Sequence, residues 1–212
     1  MPGDTHERGD SPQVSWSASL KRPWTGAART GAPDERQLLA HVGAKNLEAF
    51  EALYRMYQPR LGRFLANILQ RPQLVEEVLD DTMMVVWQTA DRFRGSSKPS
   101  TWIFAIAYRK ALKAKSPWPD PLPDESLEHE ASDEPEPDAH LQHQRLAQAL
   151  RDAMATLSPE HRAVVDLTYF HGMGYRQIAE IVECPVDTVK TRMFHARRRL
   201  KRALPGKLSD WL

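Results

Sequence analysis

Residues 175–204 read YRQIAEIVECPVDTVKTRMFHARRRLKRAL, and the spacing within them decides the fold. Val186, Val189, Met193, Ala196, Leu200 and Leu204 recur at three and four, the period of one buried helix face. The same spacing turns Asp187, Lys190, Thr191, Phe194, His195, Arg198 and Arg202 outward. Upstream, Ile178, Ala179 and Val182 mark a shorter helix, and Glu183, Cys184 and Pro185 a tight turn. Short helix, turn, longer helix are the proportions of a helix-turn-helix. Residues 186–202 hold seven Lys or Arg against one Asp, a local net charge of +6 inside a chain of net charge +1. Such a helix meets base edges with its N-terminal half, through Lys190, Thr191 and His195, with Phe194 placed for a thymine methyl. Arginines such as Arg198 supply the sequence-independent attraction to phosphates. The plain alternative is a solvated basic helix with Phe194 buried against a neighbour.

The rest of the chain also reads as helix. Leu146, Leu150, Met154 and Leu157 mark one; Ser158 and Pro159 give the next an N-cap and a proline at its first position. That helix carries Val164, Leu167 and Phe170, after which Gly172 and Gly174 loosen the chain. Residues 114–140 hold six prolines and nine Asp or Glu against one Lys, too little apolar surface to order a segment. Before them, Phe50, Leu53, Tyr54, Tyr57, Leu61, Phe64, Leu65 and Ile68 form a stripe. Pro72 opens a helix with Val75, Val78, Leu79, Thr82, Met83, Val86 and Ala90 on its face, broken at 93–99. A further helix begins near Ser100 and runs through Ile103, Ile106, Ala107 and Lys110. Residues 1–33 are rich in Gly, Pro, Ser and Thr without period and read as a disordered arm, although Trp16 and Trp24 sit in it.

The expected architecture is all-α: two small helical domains, a bundle of three to four helices over 34–115 and a helix-turn-helix domain over 142–204. A flexible acidic linker over 116–141 joins them, with the arm at 1–33 and a tail at 205–212. A single cysteine, Cys184, excludes an internal disulfide and suits a reducing cytoplasm. No apolar run approaches the ~18 residues of a membrane helix, and no secretory signal opens the chain. Cys184 and His195 lack partners at metal-ligand spacing, so no metal and no cofactor are expected. Without a Gly-rich phosphate loop or a nucleophile motif, an enzyme finds no support either.

Two stretches resemble a known family. Leu74-Val75-Glu76-Glu77-Val78-Leu79-Asp80-Asp81-Thr82-Met83-Met84-Val85-Val86-Trp87, then Asp91-Arg92-Phe93-Arg94-Gly95 and Ser100-Thr101-Trp102-Ile103-Phe104, resemble region 2 of the extracytoplasmic-function (ECF) sigma factors of bacterial RNA polymerase, in the sigma-70 family. The segments beginning Leu157-Ser158-Pro159-Glu160-His161-Arg162, Gly174-Tyr175-Arg176-Gln177-Ile178-Ala179 and Cys184-Pro185-Val186-Asp187-Thr188-Val189-Lys190-Thr191-Arg192 are similar to their region 4. The resemblance implies a sigma factor that binds core polymerase, at the β′ clamp and the β flap, and directs initiation at particular promoters under an anti-sigma factor. It gives Asp80, Asp81 and Trp87 the polymerase contact. It gives Phe93, Arg94, Ser96, Ser97, Lys98, Trp102 and Arg109 the capture of minus-ten DNA, where an unpaired base exposes its faces for stacking. Arg176, Asp187, Thr188, Lys190, Thr191, Phe194, His195 and Arg198 would read the minus-thirty-five element.

The chain departs from the family's pattern beside the base-capturing loop. Ala105 stands where the family usually carries Arg, Arg109 where Asn is common, and Lys98-Pro99 stiffens the loop. A regulator that binds an operator without polymerase remains the competing function. It would require a receiver domain of alternating strands and helices, and residues 34–115 show no strand pattern.

Overall fold

The computed structural model describes the backbone of residues 34–115 and 138–204, and the side chains of 34–115 and 147–204. The expected arm, most of the expected linker and the expected tail lie outside the described residues. Within them the chain is all-α. Helices α1 (Glu35–Gly43), α2 (Leu47–Leu69), α3 (Pro72–Thr89) and α4 (Pro99–Lys115), with a 3-10 turn at Ala90–Arg92, make the N-terminal module. Helices α5 (Asp138–Ala155), α6 (Pro159–Tyr169), α7 (Tyr175–Ile181) and α8 (Val186–Ala203) make the C-terminal one. The α5 helix starts inside the stretch assigned to the linker.

Local signals account for most helix ends. Asp34 caps α1 by accepting from the Arg36 amide at 3.0 Å, and Asn46 caps α2 by accepting from the Ala49 amide at 2.9 Å. Between them Lys45 takes φ +62°, and the backbone breaks there into two helices. Pro72 opens α3 and Pro159 opens α6, where a missing N–H costs nothing. Ser158 completes the α6 cap. Gly43 ends α1 against the 3-10 turn; a Cβ there would stand 3.1 Å from the Asp91 amide nitrogen, tight enough that the turn would have to give by a few tenths of an ångström.

The stripe on α2 and the faces of α3 and α4 close over Leu53, Tyr57, Leu61, Phe64, Ile68, Met83, Val86, Ile103 and Phe104, all buried. Phe104 is central to it, with ring centroids 5.2 Å from Phe64 and 6.5 Å from Tyr57. In the C-terminal module Val164, Leu167, Ile178, Ile181, Val189, Met193 and Ala196 are buried between α6, α7 and α8. The modules also touch: α2 packs on α6 and α4 on α7.

Phe104→Ala is therefore expected to cost about 3–5 kcal/mol by leaving a cavity among aromatic rings. Exposed Leu112→Ala should stay within about 0.5 kcal/mol. Urea unfolding followed by far-UV circular dichroism separates the two, and equal midpoints would contradict this core.

Candidate functional site

Three surfaces gather the residues singled out above. The first is the acidic edge of α3. Asp80 and Asp81 are exposed on it; Asp80 Oδ1 accepts from the Tyr54 hydroxyl at 2.7 Å and Asp81 Oδ2 lies 2.9 Å from Lys110 Nζ. Burial pushes the Tyr54 hydroxyl's pKa well up, and the hydrogen bond and charge of Asp80 push it further, so Tyr54 stays a donor that fixes Asp80. Trp87, seven residues on and thus on the Asp80 side of the helix, packs its ring 5.1 Å from Phe50. Lys45 Nζ lies 5.3 Å above that ring and donates to the Trp87 carbonyl at 2.6 Å. Exposed Glu76, Glu77 and Met84 lie on the same edge. Reading the sequence missed Met84 and Tyr54 there; helical spacing from Asp80 would have found Met84.

The second surface is the loop 93–98 with the start of α4. Phe93 and Trp102 are half-buried, rings 5.4 Å apart and tilted by 48°, one on each side of the loop. Gly95 has φ +72°, the left-handed region, which lets the chain double back between them. Arg94, Ser96 and Lys98 are exposed and Ser97 half-exposed, so the loop offers donors around an aromatic pair. Arg109, two turns along α4, is exposed but already engaged: its Nη1 lies 2.6 Å from Glu183 Oε1.

The third surface is α8 with the turn before it. Val189, Met193, Ala196, Leu200 and Leu204 are buried and Val186 is half-buried, which leaves Asp187, Lys190, Thr191, Phe194, His195 and Arg198 facing solvent. Phe194 is 62% exposed, so the burial alternative for this ring fails. Lys190 Nζ pairs with Asp187 Oδ1 at 2.9 Å, and Thr191 Oγ1 donates to the Asp187 carbonyl at 3.0 Å. Thr188 is half-exposed, and Arg176 is exposed on α7. Arg197 is held by the Tyr169 hydroxyl, an acceptor 2.9 Å from its Nε. Cys184 is half-buried in the turn, with Arg192 Nη1 3.7 Å from its Sγ.

Beside α8 an open cleft of about 800 Å³ is lined by Ser158, His161, His195, Arg198, Arg199 and Arg202 among others. Burial holds the pKa of His161 below the usual histidine value; Arg192, His195 and Arg199 push the same way against the pull of Glu160. With Arg198, Arg199 and Arg202 and no carboxylate in its lining, the cleft is suited to an anionic backbone.

The profile described as "Sigma-70 region 2" matches residues 53–116 and that described as "Sigma-70, region 4" matches 147–200. The RNA polymerase sigma-H factor of Pseudomonas aeruginosa is 24% identical over 186 residues, covering 83% of this chain and 96% of its own length. The ECF RNA polymerase sigma factor SigK of Mycobacterium sp. strain JLS is 29% identical over 171 residues, 79% of this chain and 89% of its own. Two solved structures share the fold. CnrH in complex with the cytosolic domain of CnrY gives a TM-score of 0.58 at 22% identity, over 80% of this chain and 96% of that one. The sigma factor RpoE in complex with the anti-sigma factor NepR from Bartonella quintana gives 0.50 at 21% identity, over 81% and 97%.

A phosphate seated in the cleft would replace a field that repels a proton by one that attracts it, so DNA binding should take up a proton at His161. Affinity for duplex DNA is then expected to rise as pH falls from about 8 to about 6, and His161→Gln to flatten that rise. Fluorescence anisotropy at constant ionic strength reads both; an equal slope in the variant would place the proton elsewhere.

Proposed function

Since the chain belongs to the sigma-70 family and is an ECF-type sigma factor, we propose that it delivers core RNA polymerase to its promoters through the three surfaces just described. The acidic edge of α3 meets the β′ clamp, with Met84 as an apolar centre among carboxylates and Trp87 at its end. The loop 93–98 and Trp102 receive an unpaired base of the minus-ten element, which an aromatic pair can stack and the loop's donors can hold. The solvent face of α8 enters the major groove of the minus-thirty-five element, and the neighbouring cleft takes backbone phosphates. The region 4 module also meets the β flap.

The observation that carries this reading is the exposed face of α8. Lys190, Thr191, Phe194, His195 and Arg198 project from a helix whose other side is packed. A packed back and a chemically mixed, basic front are what groove reading requires. The operator-binding alternative is set aside, because the region 2 match covers the module where a receiver domain would have to lie.

Solved relatives carry CnrY and NepR, and this supports extending anti-sigma control to the present chain. Among the described residues no helix is long and apolar enough to cross a membrane; a cytoplasmic site of action fits the proposed partners.

Two experiments test the assignment. Replacing Asp80 and Asp81 together by Arg should abolish co-purification with core polymerase, and with it run-off transcription, while helical circular dichroism is kept; unchanged retention at moderate salt would refute the clamp contact. On α8, Lys190→Ala or Thr191→Ala should shift base preference at the upstream element by about 1–3 kcal/mol. Arg198→Ala should weaken all sequences alike and lower the salt dependence. A shift in preference from Arg198→Ala alone would reverse the orientation of α8 on DNA.

A further inference from the structure

Lys45 stands where a long side chain is an awkward choice. Helix α1 closes with two backbone bonds, from the Asn46 amide to the His41 carbonyl at 3.0 Å and from the Lys45 amide to the Val42 carbonyl at 2.9 Å. This closing pattern puts its turning residue in the left-handed region. That residue is Lys45, at φ +62°. Glycine takes the conformation without a steric penalty, and a residue with a Cβ does not. Lys45 is exposed, so burial gives no reason for a long side chain either. The place its ammonium reaches does.

Lys45 Nζ donates to the Trp87 carbonyl at 2.6 Å and lies 3.5 Å from the Gln88 carbonyl. Both carbonyls belong to the last turn of α3, which ends at Thr89 and carries no basic residue of its own there. At a helix C-terminus acceptors run short of intrahelical partners, and the partial negative charge favours a cation. The same ammonium stands 5.3 Å from the centroid of the Trp87 ring, within cation–π range. On its other contact the ring lies 5.1 Å from that of Phe50, tilted by 57°. Trp87 is thus held at its backbone and at its ring by one distant cation, while it stays half-exposed. The neighbouring residues of the edge are held in the same manner, Asp80 by the Tyr54 hydroxyl and Asp81 by Lys110.

We infer that Lys45 is a positioning residue for Trp87: it holds the indole in one orientation on the acidic edge of α3, so that polymerase meets a ring already set. That the ring is a polymerase contact rests on the function proposed above; that Lys45 sets the ring does not. A preset ring spares the complex the entropy of immobilising a side chain on binding. The left-handed backbone at Lys45 is what aims its stem at the end of α3, and glycine would relax that backbone only by giving up the ammonium. A lysine kept only to cap α3 would act on stability alone. One that touched polymerase itself would act whether or not Trp87 were present.

The test uses the full chain carrying Lys45→Gly, Lys45→Arg, Trp87→Leu, or Lys45→Gly together with Trp87→Leu. In chains labelled with 5-fluorotryptophan, the Trp87 fluorine resonance is assigned by its loss in Trp87→Phe, which keeps an aromatic ring against Phe50. Lys45→Gly should move that resonance toward its position in the urea-unfolded chain, and Lys45→Arg should leave it near the parent's. An unmoved Trp87 resonance in Lys45→Gly overturns the positioning. This measurement contains no polymerase and needs no Trp87→Leu chain, so it decides even if that variant fails to fold. Affinity for core polymerase, from titration of a labelled chain, should fall on the order of fivefold in Lys45→Gly and stay within about twofold in Lys45→Arg. In the double variant it should match Trp87→Leu alone, because a residue acting through the ring has nothing to act on once the ring is gone. Additive losses would mean that Lys45 acts independently of Trp87, and they overturn its positioning role. No loss from Trp87→Leu alone refutes the proposed polymerase contact of Trp87, while the fluorine resonance still decides what sets the ring.

Discussion

Helix α4 has to satisfy three neighbours with one short surface, and the rest of the molecule follows from how it does so. Its inward side, led by Phe104, closes the core against α2 and α3. Its flank, from Thr101 through Ala105 to Arg109, receives α7. Its first turn carries Trp102 against Phe93 of the loop 93–98. A side chain altered on any one of these sides is felt by the others, because protein interiors are close-packed and transmit displacement. Phe104 makes this concrete: its ring touches Phe64 within its own module and His171 from the other.

Much of the architecture was legible from local chemistry. The α8 stripe, the proline starts of α3 and α6 and the serine cap of α6 are short-range signals, and short-range signals survive in any tertiary context. The break between α1 and α2 was less visible. It depends on Lys45 adopting a left-handed backbone conformation, which a lysine side chain does nothing to advertise. The start of α5 at Asp138 was hidden by composition, since prolines and acids upstream masked the first turn.

The surfaces were legible to the degree that a residue's role follows from its own helix. Phe194, Lys190 and His195 face solvent because the opposite side of α8 is apolar, and counting by three and four suffices. The seam between modules was not legible. Asp166, His171, Arg162 and Asn67 are polar residues that local pattern would leave in water, and only packing from distant parts of the chain brings half-buried Asn67 against buried Asp166 and Arg162 and encloses the His171 side chain. In the sequence Ala105 and Arg109 stand out only as departures from the family's pattern beside the loop 93–99. With α7 in view Arg109 has a different physical meaning, as half of an ion pair with Glu183.

A polar seam has one more consequence, for dosage. Should polymerase take only chains in which this seam has parted, the open form, then the affinity it experiences is weakened by the fraction of molecules that are open. Copy number and effective concentration then cease to be the same quantity. A cell could hold a standing stock of this protein with little competition for polymerase, and a small change in the seam, by substitution or by a ligand preferring the open form, would act like a change in gene expression without a new molecule being made.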